Sequence, residues 1–182
     1  ANDSNFYAGS MSAEGAQKTS RFIKLCDTFR IPIVSLVDEP GFLIGPDAER
    51  AGTILHGTEA VLATTESKVP WSTIMIRKSF GVAAAAHYGP DGYVLAWPSA
   101  ESGPLPLEGG VAVAFKKEIA SAKNPEAKRK ELEEKMAKNQ SPFPRAEAFS
   151  VHEIIDPRET RKYIALWAER IQSQLKASLM NR

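Results

Sequence analysis

The chain has 182 residues, 43% of them hydrophobic and 25% charged, which is enough for one domain with a full core. Its net charge is +1 with acidic and basic residues well mixed, so the composition indicates neither nucleic acid nor a membrane surface as a partner. The lone cysteine, Cys26, excludes a disulfide within the chain and fits a reducing compartment, where we expect it to be a small buried hydrophobe.

The N-terminal end shows no feature of a targeting signal. Residues 1–5 contain no methionine, no basic stretch and no apolar core of a signal peptide, and no apolar run in the chain approaches the length of a membrane span. We therefore expect residues 1–182 to form one domain that is cut from a longer polypeptide.

Helical and strand-like segments alternate along the first half of the chain. The spacing of apolar residues predicts a helix over 13–29, and the apolar run 31–37 predicts a strand that is covered on both faces. A helix over 49–66 and strands over 71–76 and 93–97 follow. This alternation is typical of α/β proteins with a parallel sheet.

The second half begins with a loop rich in glycine and proline, residues 103–110, which we expect to be rigid and non-helical and to open a helix over 111–119. A highly charged segment, 126–139, predicts a helix that stands mostly in water. A short strand over 151–155 and an amphipathic helix over 157–179 complete the pattern.

The most informative segment joins a strand to a helix at Gly81. Residues 74–76 are apolar, Arg77 and Lys78 begin a basic turn, and residues 82–86 are small enough to leave the backbone approachable. The first N–H groups of a helix have no intrahelical partner and carry the positive end of its dipole, so this turn can hold an anion as an oxyanion hole does. The same residues also fit a buried turn whose small side chains only allow close packing on the sheet.

The usual catalytic side-chain motifs are missing. The sequence has no nucleophile elbow, P-loop, dinucleotide fingerprint or Cys/His metal cluster, so we expect no metal. His56, His87 and His152 have no evident catalytic partner in the sequence. Asp38 and Glu39 follow a predicted strand, where they either face a ligand or cap the turn. Any chemistry must therefore depend largely on backbone dipoles.

Eight short motifs occur in an order and spacing that resemble one known family. They are Asp38-Glu39-Pro40-Gly41-Phe42 with Gly45, Gly52 to His56-Gly57, Val69-Pro70, Arg77-Lys78-Ser79-Phe80-Gly81, Ala96-Trp97-Pro98, Gly109-Gly110-Val111, Ser141-Pro142-Phe143 and Ile155-Asp156-Pro157-Arg158-Glu159-Thr160-Arg161. Over its whole length the chain resembles the C-terminal half of the carboxyltransferase (β) subunit of biotin-dependent acyl-CoA carboxylases, such as the propionyl-CoA and methylcrotonoyl-CoA enzymes.

This resemblance implies an α/β fold of the crotonase type, built from ββα units in a single domain. It implies an enzyme part that is inactive alone and that transfers CO₂ from carboxybiotin to the α-carbon, or a vinylogous carbon, of an acyl-CoA. The cofactor is then biotin carried on a partner domain, and acyl-CoA is the substrate. The implied partners are the N-terminal half of its own subunit, further carboxyltransferase subunits in a homo-oligomer, and the biotin carboxyl carrier and biotin carboxylase components. The implied location is the cytoplasm, or the mitochondrial matrix in a eukaryote.

The resemblance also assigns site residues. The backbone amides of Val82 and Ala83 match the oxyanion hole that stabilises the negative charge on the ureido group of biotin. The positions that match biotin- or substrate-binding residues of the family are Gly41, Phe42, Gly81, Ala84, Ala85, Gly109 and Gly110. Because Ala84 and Ala85 match the lining of the acyl pocket and are small, we expect a bulkier acyl group than acetyl or propionyl.

The sequence departs from the family at two places. Many members have glycine where Val82 stands, so either the oxyanion hole needs only helical dihedrals at this position or it is altered. The loop over 102–108 also differs from the common form of the family. Three alternatives therefore stay open: a biotin-dependent acyl-CoA decarboxylase subunit, a crotonase-type hydratase or isomerase, and a non-catalytic assembly domain.

Overall fold

A computed structural model describes residues 3–173 and 175–176 of the chain and shows a five-stranded parallel sheet. The strands lie in the order β1-β2-β3-β5, and β4 pairs with the C-terminal end of β2. The strands are β1 (Ile33–Glu39), β2 (Trp71–Phe80), β3 (Tyr93–Ala96), β4 (Glu101–Gly103) and β5 (Glu153–Ile154).

Nine α-helices lie among the described residues, with 3₁₀ turns at Tyr7–Gly9 and Pro157–Glu159. No described helix is both long enough and apolar enough to span a bilayer. The helices are α1 (Ala13–Phe29), α2 (Pro46–Arg50), α3 (Thr53–Thr65), α4 (Gly81–Ala85), α5 (Leu107–Ala114), α6 (Lys116–Ser121), α7 (Pro125–Gln140), α8 (Pro142–Glu147) and α9 (Thr160–Arg170).

The first helix has the predicted bounds because the sequence provides both of its ends. The side chain of Ser12 accepts a hydrogen bond from the Gly15 N–H at the start of α1. Arg30 adopts a left-handed conformation after the last turn, and its N–H bonds back to the carbonyl oxygen of Asp27. Cys26 is buried in this helix, as predicted.

Strand β1 starts two residues later than predicted, at Ile33, and continues through Asp38 and Glu39. The prediction that it is covered on both faces is wrong for this chain. Val34 and Leu36 remain 40% and 55% exposed, because β1 is the edge strand and alternate residues point to opposite faces.

Strand β2 is four residues longer than predicted, and the basic residues Arg77 and Lys78 lie within it rather than in a turn. Two interactions extend the strand. Residues Lys78, Ser79 and Phe80 pair with β4, and the carboxylate of Asp38 accepts hydrogen bonds from Arg77 Nε and from the Lys78 N–H.

The other boundaries differ where glycine or proline was misinterpreted. The predicted helix 49–66 is two helices, because Gly52 has a φ of +71° between them. Helix α5 begins at Leu107, four residues earlier than predicted, so the expected loop is partly helical.

The charged helix α7 extends one residue beyond the predicted 126–139 at each end. Ser141 ends it and also caps α8, a helix that was not predicted. The last predicted helix begins as a 3₁₀ turn, continues as α9, and its expected end at residue 179 lies outside the described residues.

The sheet is covered on its two faces by different elements. On one face, α1 and α3 pack together, and Ala16 and Ala60 are fully buried in a cluster with Ala83 of α4. On the other face, Ile74 and Leu95 pack with partly buried side chains of α9. The sheet thereby holds the N-terminal end of α4 at the carboxyl ends of its strands, where ligands bind in many α/β proteins.

Candidate active site

Strand β2 runs directly into α4 at Gly81, with no intervening loop. Phe80 is extended, whereas Gly81 has a φ of +64°. Another residue at this position would be strained, and its Cβ would lie 3.4 Å from the carbonyl oxygen of Pro104. The predicted turn is therefore present and requires its glycine, although it follows a longer strand.

Val82 and Ala83 occupy the second and third positions of α4. N–H groups in the first turn of a helix have no intrahelical acceptor, and the described part of the chain offers these two no other one. Val82 is not among the non-glycine residues with positive φ, so the valine adopts its conformation without the strain that its β-branch would cause there. Its side chain is 65% exposed. The amides thus require only ordinary helical dihedrals.

The alanines of α4 are divided between two surroundings. Ala83 is fully buried and packs in the core cluster that includes Met11 and Phe42. Ala84 and Ala85 instead line a cavity of about 250 Å³ together with Gly81.

This cavity lies beside the carboxyl end of β2. One wall is α4, a second is Ser102 and Gly103 of β4, and a third is α8 with the residues that follow it, including Val151. Apolar contact surface comes from Met75 and Val94 on the neighbouring strands.

Two hydroxyl groups meet on the cavity wall. Ser79 Oγ lies 2.7 Å from Tyr88 Oη. Burial raises the pKa of the Tyr88 phenol, and the hydrogen bond with Ser79 and the charge of Arg145 only partly oppose this. The Tyr88 phenol is therefore protonated at pH 7, and either it or the Ser79 hydroxyl can be the donor in their hydrogen bond.

Two further polar groups of the cavity wall are buried without a hydrogen-bond partner in the described part of the chain. They are Nε of Arg145, in α8, and Oγ of Ser102, in β4. Ser102 is only 4% exposed. Buried polar groups normally find a partner, so these two atoms identify the cavity as a place where a ligand can bind.

Gly41 and Phe42 are placed outside this cavity. The Gly41 N–H donates to Oε1 of Glu39 at 3.2 Å, and the Met11 N–H donates to the same oxygen at 3.1 Å. The Phe42 ring fills the space above Gly57, where a Cβ would lie 2.3 Å from ring atom Cζ. Gly41 and Phe42 thus hold the segment after β1 against the helices that cover this face of the sheet, Gly41 by a hydrogen bond to Glu39 and Phe42 by packing on α3.

The acidic pair of β1 points to opposite faces of the sheet, as consecutive strand residues do. Glu39 is 4% exposed, and its Oε2 lies 3.8 Å from Nε2 of His87. Nδ1 of His87 is 3.2 Å from Ser35 Oγ, a pairing that the sequence did not reveal. Asp38 is ion-paired with Arg77 and raises the pKa of its guanidinium.

Gly109 and Gly110 lie inside α5 and not in the predicted loop. A Cβ at Gly109 would meet nothing within 4 Å, whereas one at Gly110 would lie 2.9 Å from Cβ of Leu105. Neither glycine lines the cavity beside α4.

Sequence reasoning missed the polar wall formed by Tyr88, Ser102 and Arg145. Arg145 lies 64 residues from Gly81, and only the topology of the sheet brings them together. The one available signal was the Ser141-Pro142-Phe143 motif, which was noted for its resemblance and stands just before this arginine.

Comparison with known proteins gives a consistent result. The family model described as the carboxyl transferase domain matches residues 1–181. The chain is 37% identical over 182 residues to the carboxyltransferase subunit of propionyl-CoA carboxylase of Haloferax mediterranei, covering 97% of this chain and 35% of that protein. It is also 37% identical over 169 residues to the α subunit of methylmalonyl-CoA decarboxylase of Propionigenium modestum, covering 90% of this chain and 32% of that protein.

The fold is shared with a solved transcarboxylase 12S structure, described as a hexamer assembly with methylmalonyl-CoA and methylmalonic acid bound. The two agree with a TM-score of 0.86 at 37% identity, over 94% of this chain and 34% of the other. The α/β fold of the crotonase type expected from the sequence is thus confirmed. The chain spans about a third of the length of the curated relatives it matches.

Proposed function

We propose, because this chain belongs to the carboxyl transferase domain family, that residues 1–182 form the biotin-binding C-terminal half of an acyl-CoA carboxyltransferase subunit. One observation carries the proposal: Gly81 turns β2 into α4 so that the N–H groups of Val82 and Ala83 have no acceptor among the described residues, beside a cavity lined by Ala84 and Ala85. Membership of the family indicates carboxyl transfer, and the turn at Gly81 provides the N–H donors for an anion.

The reaction moves a carboxyl group from carboxybiotin to the α-carbon of an acyl-CoA. Biotin, when bound, would supply that group by cleavage of its N–CO₂ bond; the ureido anion left behind would take the α-proton, and the resulting enolate would take up the CO₂. The N–H groups of Val82 and Ala83 donate to the oxygen of this ureido anion. Donors that are aimed in advance at developing charge each lower a barrier by about 3 kcal/mol.

The residues of the turn fit this role. Gly81 brings no side chain into the approach to the amides, and the exposed Val82 side chain leaves α4 on the solvent side. Ala83 is anchored in the core cluster, so its N–H keeps a fixed direction. A fixed donor loses little free energy to reorganisation when charge develops.

The acyl group of the substrate is expected to be bulkier than acetyl or propionyl. Ala84 and Ala85 line a cavity of about 250 Å³, and neither side chain is large enough to fill it. A cavity of about 150 Å³ already holds benzene. We place the acyl chain in this space, with its α-carbon towards the first turn of α4.

The remaining predicted site residues have supporting roles in this account. Gly41 and Phe42 order the segment after β1 against the helical layer that carries Ala83. Gly109 is exposed in the first turn of α5, where its lack of a side chain would allow the biotin carrier to approach closely, whereas the buried Gly110 allows α5 to pack against Leu105.

The partners follow from the family. We infer that the chain acts with the N-terminal half of its own subunit, in a homo-oligomer, and receives biotin from a carboxyl carrier that a biotin carboxylase loads. A relative of known structure is described as a hexamer, which supports assembly. The reduced, buried Cys26 is compatible with the cytoplasm or, in a eukaryote, the mitochondrial matrix.

A second candidate function is that of a subunit of an acyl-CoA decarboxylase, which runs the same carboxyl transfer in the opposite direction. The 37% identity to the α subunit of methylmalonyl-CoA decarboxylase supports it, at the same level as the identity to the propionyl-CoA carboxylase subunit. In that case the carboxyl group passes from the acyl-CoA to biotin, and the same amides stabilise the ureido group before it is carboxylated.

The test is an exchange assay on the full-length subunit with free biotin. Incubation with propylmalonyl-CoA, whose acyl chain is longer than that of methylmalonyl-CoA, should convert it to pentanoyl-CoA only when biotin is added, and the rate should rise with biotin concentration. Loss of the carboxyl group without biotin would contradict the proposal, and no conversion in either case would favour an assembly domain. Comparing the forward and reverse rates then separates carboxylation from decarboxylation.

A further inference from the structure

The cavity beside α4 has a cationic wall. Among the described residues that line it, Arg145 alone carries a formal charge, and none of the ion pairs of the described part of the chain includes it. Its Nε is buried and has no hydrogen-bond partner among residues 3–173 and 175–176. Arginine stays protonated in proteins, and a buried guanidinium nitrogen that lacks an acceptor favours an anion that can accept its hydrogen bond.

Hydroxyl groups on the same wall add hydrogen-bond donors. Ser102 Oγ is buried and has no partner in the described part of the chain. Ser79 and Tyr88 have two hydroxyl hydrogens between them, and their mutual 2.7 Å hydrogen bond uses one. The second hydrogen and that of Ser102 remain available to a ligand oxygen. Guanidinium and hydroxyl donors together match a carboxylate, which only accepts hydrogen bonds.

The rest of the cavity suits an aliphatic chain. Met75, Val94, Ala84 and Ala85 supply apolar contacts, and the volume of about 250 Å³ exceeds what a single carboxylate needs. A space larger than a benzene-binding cavity accommodates a carboxylate with a stem of about four carbons. The alanines lie on the α4 side, and Arg145 lies on the α8 side.

We propose that this cavity binds a carboxylate at the end of the acyl group remote from the thioester, so that the preferred substrate is a dicarboxylyl-CoA. The inference rests on the proposed function, since it places the acyl chain along Ala84 and Ala85. Arg145 and Ser102 determine specificity by pairing with the remote carboxylate, which is not the group that is transferred.

The experiment compares two CoA thioesters with the full-length subunit. Glutaryl-CoA carries the remote carboxylate, and pentanoyl-CoA has a methyl group in its place. The ratio of their kcat/KM values should favour glutaryl-CoA by about tenfold or more in the wild type. Arg145→Met should reduce this ratio about 10- to 100-fold, because a hydrogen-bonded charged partner is lost. Arg145→Lys should restore part of it, and Ser102→Ala should reduce it by a smaller factor.

Arg161 provides the matched control. It is an exposed arginine of α9 that does not line the cavity, and Arg161→Met removes the same charge. This variant should leave the ratio unchanged.

A wild-type ratio near one overturns the proposal while the proposed function stands. An equal loss with both thioesters in Arg145→Met overturns it too, because the arginine then acts on biotin or on the fold. If neither thioester is carboxylated, the proposed function fails, and calorimetric binding of glutaryl-CoA decides the carboxylate site on its own. Weaker binding in Arg145→Met than in Arg161→Met supports the site, and equal binding overturns it.

Discussion

The hydroxyl oxygens of Ser79 and Tyr88 lie 2.7 Å apart, joining the end of β2 to the residues just after α4. Ser79 is 5% exposed and immediately precedes Phe80 and Gly81, so this bond ties the two ends of the turn together. The position of α4, and with it the direction of the first amides, therefore depends on a side-chain contact in addition to the backbone of Gly81.

Tyr88→Phe should destabilise the protein by about 1 kcal/mol, because Ser79 Oγ loses its partner in a buried environment. The measurement is the free energy of unfolding in urea. The double variant with Ser79→Ala should cost less than the sum of the two single changes, since no orphaned hydroxyl remains. Strictly additive effects would show that the hydrogen bond contributes nothing.

Gly57→Ala should destabilise the protein by about 1 kcal/mol or more. A Cβ at Gly57 would lie 2.3 Å from Cζ of Phe42, so the ring must move, and this overpacking outweighs the gain in helix propensity. Gly15→Ala is the matched control in α1, because a Cβ there meets Ser12 Oγ at an ordinary 3.6 Å. It should be neutral or stabilising in the same urea titration. The prediction fails if both variants gain stability.

The pKa of Asp156 is lowered to about 2, first by the hydrogen bonds from the Arg158 side chain and then by the Arg158 N–H. A lowered carboxyl pKa adds stability that is present above the unfolded value, near pH 4, and is lost as the pH falls through about 2. Arg158→Gln should raise this pKa towards its ordinary value, as measured by ¹³C NMR of the carboxyl carbon.

The stability difference between Arg158→Gln and the wild type should correspondingly be present at pH 7 and vanish near pH 2. The interaction is solvent-exposed and should weaken in high salt. An unchanged Asp156 titration in Arg158→Gln would contradict the assignment.

The helices and strands with strong local signals were predictable from sequence. Helix α1 has its predicted bounds because Ser12 caps it and its apolar residues recur at helical spacing. The glycine turn was predicted because glycine adopts a positive φ, as found at Gly81, without strain. The extension of β2 was not predicted. Pairing with β4 and hydrogen bonds to Asp38, which is distant in sequence, place Arg77 and Lys78 in the strand.

Only the backbone amides of the candidate site, those of Val82 and Ala83, were predictable from the sequence. Val82 and Ala83 follow a recognisable glycine, whereas the cavity combines residues from β4, α4 and α8 that no periodicity connects. Arg145 was not singled out, because nothing in its local sequence indicates burial of its Nε. Gly109 and Gly110 were interpreted as loop residues because glycine is unfavourable in helices, yet α5 includes both.

The most direct test of the proposed oxyanion hole is to remove one amide without removing a side-chain contact. Val82→Pro does so, because proline lacks the N–H and fits the first turn of a helix, where no intrahelical hydrogen bond is lost. Val82→Ala is the control, since the valine side chain is 65% exposed. In the exchange assay of the full-length subunit with propylmalonyl-CoA and free biotin, Val82→Pro should lower kcat about 100-fold or more, while Val82→Ala stays within a few-fold of the wild type. A folded Val82→Pro variant that retains the wild-type kcat would contradict the claim that this amide stabilises the biotin anion.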